Sequence, residues 1–122
     1  MKLRIQGNSL RLRLTRSEVA GLHQHGAVEE TAQFSAGGSL TYRIQKRDSA
    51  GGIQAELTDG TISVSIPAGG VEAWATSDQV SLAAQDGVLK IAIEKDFRCL
   101  TRPREEEDEA DAYPHPAEQS KS

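Results

Sequence analysis

The sequence predicts an α+β domain: a mainly antiparallel, curled or barrel-like sheet of seven to eight strands, two short helices and an acidic C-terminal tail. Three observations predict it. Aliphatic residues recur at every second position in short segments, Gly-containing turns separate those segments, and residues 105–111 form the run Glu-Glu-Glu-Asp-Glu-Ala-Asp. Hairpin-type connections dominate and no strand alternates with a long helix, which argues against a doubly wound parallel sheet.

Leu3 and Ile5 alternate with Lys2, Arg4 and Gln6. Gly7-Asn8-Ser9 then turns the chain, and Leu10, Leu12 and Leu14 alternate with Arg11 and Arg13. That pattern means two strands with one buried face each. Thr15-Arg16-Ser17-Glu18 reads as a capping box opening a helix of about two turns, with Val19 and Leu22 facing the core and Gly26 as its left-handed stop. A third strand over 27–34 and a fourth over 40–46 (Leu40, Tyr42 and Ile44 inward) follow, joined through Ala36-Gly37-Gly38.

Beyond the Ser49–Gly52 break, Ile53, Ala55 and Leu57 alternate, and Asp59-Gly60 leads into Ile62, Val64 and Ile66. An Asp-Gly pair between alternating aliphatics is a strong hairpin signal. Pro67-Ala68-Gly69-Gly70 ends that strand and opens a second helix, whose Val71, Trp74 and Ala75 share one face. Val80, Leu82 and Ala84, a turn at Asp86-Gly87, and Leu89, Ile91 and Ile93 complete the sheet. No internal repeat is visible beyond the generic strand pattern.

Charge divides the chain. Residues 1–104 carry thirteen Lys+Arg against eleven Asp+Glu, and residues 105–122 carry one against seven, which together give the net −4. A folded domain over 1–98 followed by a solvated tail over 99–122 is the organisation this implies. One cysteine, Cys99, excludes an internal disulfide and a Cys-paired zinc framework. The opening residues interleave cations with single aliphatics, unlike a signal peptide or a membrane span, so a cytoplasmic location is the default.

Three stretches carry a family resemblance: Gly7–Thr15 with Glu18-Val19, then Trp74–Val80, and finally Glu94–Leu100 with the acidic run and Tyr113-Pro114-His115-Pro116. They resemble an uncharacterised family of small bacterial proteins to which no activity, substrate or catalytic residue is assigned. The resemblance implies a stand-alone single-domain protein and no particular chemistry.

The candidate chemistry is therefore read from the residues. Because the aliphatics of the first hairpin point one way, Lys2, Arg4, Arg11 and Arg13 must share the other face, and Arg43 extends it if its strand lies nearby. Such a face takes water and salt, an anionic ligand or protein, or residues 105–111 of the chain itself. A body with this small positive excess and 4% aromatic residues argues against nucleic acid. The competing class is an enzyme or metal-dependent regulator. It would use Cys99, beside Lys95, Arg98 and Arg102, with tail carboxylates or His115. No catalytic signature supports it. Two histidines spaced as in His23-Gln24-His25 do not share a helix face, and the tail lacks calcium-loop spacing. Gly69-Gly70 matches no phosphate-binding motif. No cofactor is expected.

Overall fold

Among the described residues, locally closed hairpins, two helices and two sheets make up the fold. The computed structural model describes residues 1–48 and 51–96; the expected tail, 99–122, lies outside the described residues. Strands β1 (Lys2–Gln6) and β2 (Ser9–Leu14) pair antiparallel across Gly7-Asn8. Gly7 takes φ +54°, the positive φ that a type II′ turn requires at its first central position. The turn needs two residues, not three, because Ser9 is already in the strand.

Helix α1 (Arg16–His25) follows directly. Its capping box forms as predicted: the Glu18 amide donates to Thr15 Oγ1 at 3.3 Å and the Thr15 amide to Glu18 Oε1 at 2.9 Å. At ten residues it is nearly a turn longer than the sequence suggests, and it stops at Gly26 (φ +93°). Strands β3 (Ala27–Gln33) and β4 (Ser39–Arg47) form the second hairpin.

The third hairpin is β5 (Gln54–Thr58) and β6 (Thr61–Pro67). Asp59 and Gly60 both take positive φ, the type I′ turn that an Asp-Gly pair favours. Helix α2 (Ala68–Ala75) buries Val71 and Trp74, and its two glycines lie inside its first turn. A Cβ on Gly70 would stand 3.7 Å from Ile66 Cγ2, so the helix packs closely on the strand it leaves. Strands β7 (Ser81–Asp86) and β8 (Leu89–Lys95) end the described fold.

The single curled or barrel-like sheet of the sequence reading is corrected here. The eight strands divide into two open four-stranded sheets, sheet A in the order β1-β2-β8-β7 and sheet B in the order β3-β4-β6-β5. Both are mixed, because β2 pairs parallel with β8 and β4 parallel with β6. Local turn signals report hairpins only. The parallel pairings join segments far apart in sequence, which no turn announces.

A repeat that the sequence did not reveal also emerges. Residues 2–47 and 54–95 each run strand-strand-helix-strand-strand, and exchanging the halves maps sheet A onto sheet B. Leu10, Leu12, Leu14, Val19 and Leu22 correspond to Ile62, Val64, Ile66, Val71 and Trp74 at one constant separation along the chain. All ten belong to one buried core with Ile44, Ile91 and Ile93. The correspondence extends to hydrogen bonds. Thr41 N–H donates to Gly60 O as Lys90 N–H does to Asn8 O, both at 2.9 Å. The Lys46 ammonium caps His23 O at the end of α1, and the Lys95 ammonium caps Ser77 O just past α2, both at 2.8 Å.

Two contacts belong to one half only. Trp74 is fully buried, donates from Nε1 to Val80 O at 3.1 Å, and lies 5.8 Å below the Lys95 ammonium. The Met1 α-ammonium sits between Glu18 Oε2 and Glu30 Oε1, 2.6 Å from each. Burial alone would lower this ammonium, but the bonds and charges of both glutamates hold it above its ordinary 8.0. Burial alone would raise the Glu18 carboxyl, but bonds from the ammonium and the Thr15 amide, with the Glu30 contact, hold it below 4.5. Tyr42 donates to Glu30 Oε2 at 3.1 Å; burial, that bond and the two carboxylate charges raise its phenol.

Leu12→Ala empties a fully buried site on a central strand and should cost about 2–5 kcal/mol in urea denaturation; Trp74→Phe loses the hydrogen bond to Val80 O and part of a fully buried ring and should cost about 1–3 kcal/mol. A loss below half a kcal/mol for Leu12→Ala would contradict the shared core. For the cluster, the Glu18 contribution is complete above pH 4.5 and lost as pH falls through the lowered folded value. The Met1 contribution is complete below pH 8.0 and lost as pH rises through the raised one. Glu18→Gln preserves a capping-box side chain and removes the charge. It should flatten the acid limb of the unfolding free energy against pH by on the order of 1 kcal/mol. An unchanged acid limb would count against the ion pair.

Candidate anion-binding face

The alternation that sends Leu10, Leu12 and Leu14 into the core sends Arg11 and Arg13 to the opposite side of sheet A, and the register decides what stands beside them. Across the four strands the outward residues form three rows: Lys2–Arg13–Glu94–Ser81, Arg4–Arg11–Ala92–Ala83 and Gln6–Ser9–Lys90–Gln85. The four cations expected from the first hairpin are thus brought together, with Arg4 directly opposite Arg11. Lys90, which the sequence reading did not include, joins them from β8.

One carboxylate stands among these five cations. Glu94 lies 3.7 Å from Arg11 Nε through Oε2 and 3.5 Å from Arg13 Nε through Oε1. Those distances exceed a good charge-assisted hydrogen bond, so Glu94 is shared loosely between two guanidinium groups. Lys2, Arg4 and Lys90 are exposed and make no ion pair among the described residues. Residues directly opposite across strands stand about 5 Å apart at Cβ, where like charges destabilise the sheet. The face therefore carries excess positive charge on a hydrogen-bonded, four-stranded platform.

Arg43 does not extend it. Its strand belongs to sheet B, where its guanidinium holds Glu29 Oε1 at 2.7 Å and Gln45 Oε1 at 3.0 Å. Pairwise register determines this placement, and β4 sits beside β6, not β2. Lys90 and Glu94 were legible as outward residues of the last strand. Their place beside Arg11 and Arg13 depends on the parallel pairing, which was not.

The repeat supplies an internal comparison. The rows of sheet B that correspond to those of sheet A are Gln54–Ser65–Gln45–Ala27, Glu56–Ser63–Arg43–Glu29 and Thr58–Thr61–Thr41–Thr31. They hold one cation and two carboxylates where sheet A holds five cations and one. The ten corresponding core positions stay apolar in both halves; outward positions do not share their charge. The fold builds this sheet without a basic face, so the basic face is not a requirement of the fold.

A cleft of about 770 Å³ lies between α1 and the end of β8, lined by residues including Thr15, Arg16, Val19, His23, Lys95 and Asp96. Among the described residues no group of three or more His, Cys, Asp or Glu is placed to hold a metal ion. Cys99, His115 and the tail carboxylates, the residues of the enzyme or metal reading, lie outside the described residues. No helix among the described residues is long and apolar enough to cross a membrane.

Comparison with known proteins adds the family but no chemistry. No curated protein and no solved structure matches the chain. A family model does, over residues 1–117, in keeping with the resemblance seen in the sequence: the chain belongs to DUF7009, a family of unknown function.

Proposed function

We propose that this protein is a non-enzymatic binding or adaptor protein that takes an acidic polypeptide segment on the outer face of sheet A. One observation carries the reading: Lys2, Arg4, Arg11, Arg13 and Lys90 converge on one sheet surface against a single carboxylate, while the equivalent surface of sheet B dispenses with them. An extended acidic segment suits a sheet face whose cations stand in rows. Adjacent strands are about 4.8 Å apart, and alternate side chains of a bound strand repeat about every 7 Å.

Nucleic acid is the less favoured polyanion. The three outward rows contain no aromatic residue on which a base could stack. Each exposed ion pair contributes about 0.2–1 kcal/mol, so useful affinity requires several pairs at once and falls as salt rises.

The full-length protein should bind a fluorescein-labelled decaglutamate peptide at low ionic strength, as read by anisotropy, and release it toward physiological salt. Arg4→Gln with Arg11→Gln should weaken binding about tenfold while leaving the melting temperature equal or slightly raised, because a repulsive pair is removed. Arg43→Gln, in the other sheet, should leave peptide binding unchanged. Equal affinity in the Arg4/Arg11 double variant, or tighter binding to single-stranded DNA than to the peptide, would overturn the proposal.

A further inference from the structure

Resting on that reading of the same face, we infer that the acidic run at residues 105–111 of this chain occupies the outer face of sheet A and competes with the partner segment. Charge is the first ground. The run carries six carboxylates in seven residues, and the face offers Lys2, Arg4 and Lys90 without ion-pair partners among the described residues. Arg11 and Arg13 share one loosely held carboxylate.

Position is the second ground. Asp96 donates its amide to Leu14 O at 2.7 Å, so the described chain ends beside the last residue of β2. That is the end of sheet A at which the row Lys2–Arg13–Glu94 lies. Residues 97–104 then separate this point from the run. At about 3.3–3.6 Å per residue they reach at most about 30 Å. From β8 across β2 to β1 is about 10 Å, and the Arg4–Arg11 row is about 7 Å further along the strands. The run therefore reaches every cation of the face from its own chain.

Tethering makes such a contact competitive even though each pair is weak. The effective concentration of a segment on a short tether is on the order of 1 mM. A run whose own dissociation constant is about tenfold lower weakens any ligand of the same face by about tenfold. The consequence is a graded anion-binding face: a partner must offer more carboxylates, or a better-placed set, than the resident run.

The test uses full-length protein in which the run is neutralised by Glu105→Gln, Glu106→Gln, Glu107→Gln, Asp108→Asn, Glu109→Gln and Asp111→Asn. The labelled decaglutamate peptide should bind this variant about tenfold more tightly than the parent at low salt, and the gap should close toward physiological salt. In parallel, the backbone amide resonances of Arg4, Arg11 and Lys90 should differ between parent and variant at low salt and converge at high salt. Equal affinities with coincident resonances would overturn the inference and leave the binding reading of the face intact. A neutralised variant that binds no peptide at all would overturn the face reading itself. A difference between parent and variant that grows with protein concentration would overturn occupation by the chain's own run and assign the run of a second copy instead.

Discussion

The parallel pairing of β2 with β8, matched by that of β4 with β6, is the constraint on which the rest of the structure depends. A two-stranded hairpin is marginal in water because it has too little face to bury. The β1–β2 hairpin has Leu10, Leu12 and Leu14 on its inner side, and only when β8 sets Ile91 and Ile93 beside them does a continuous apolar surface form. The same pairing fixes the other side of the sheet. Side chains alternate, so a one-residue slip of β8 would bring Glu94 inward and Ile93 outward. Burial of Ile93 and Leu12 thus holds Glu94 beside Arg13 and Lys90 beside Ser9.

The repeat separates what that constraint demands from what it leaves free. Inward positions answer to packing in both halves, with Leu12 facing the core as Val64 does and Leu22 as Trp74 does. Lys46 and Lys95 answer to a different demand in common. Helix α1 ends with carbonyl groups that lack intrahelical donors, and the Lys46 ammonium reaching from β4 satisfies His23 O; the Lys95 ammonium reaching from β8 satisfies Ser77 O just beyond α2. Outward positions answer to neither demand, and there the halves part: Arg11 and Arg13 on one sheet, Ser63 and Ser65 on the other.

What the sequence made legible follows the range of the interactions involved. The capping box at Thr15 and Glu18, the stop at Gly26 and the Asp59-Gly60 turn are decided within a few residues, and each stands where its signal placed it. Alternation likewise identified the strands and the outward direction of Lys2, Arg4, Arg11 and Arg13. Division into two sheets was hidden because it depends on which hairpins meet, and the meeting strands are far apart in the chain. The repeat was hidden for a related reason: packing preserves apolar character and volume, not identity, so Leu22 and Trp74 do not look alike. Ile5 and Leu57 mark another limit. Both alternate as core residues do, yet they are 58% and 70% exposed, because each lies on an edge strand beside its hairpin turn.

Edge protection is the strongest structural explanation for a basic β1, and it accounts for only part of the face. A strand at a sheet edge presents unpaired amides and carbonyls, and charged side chains there discourage pairing with other chains. Lys2 and Arg4 serve that purpose on β1. Arg11 and Arg13 stand on β2 and Lys90 on β8, which are interior strands with both edges already paired, so they guard nothing. The corresponding edge strand, β5, carries Gln54 and Glu56 where β1 carries Lys2 and Arg4. Protection requires charge but not one sign of charge. Placing cations on three adjacent strands sets like charges against one another, most directly at Arg4 and Arg11, and the fold gains nothing that the sheet B pattern does not also supply. That repulsion is relieved when an anion lies across the rows, which makes the free face electrostatically receptive by construction.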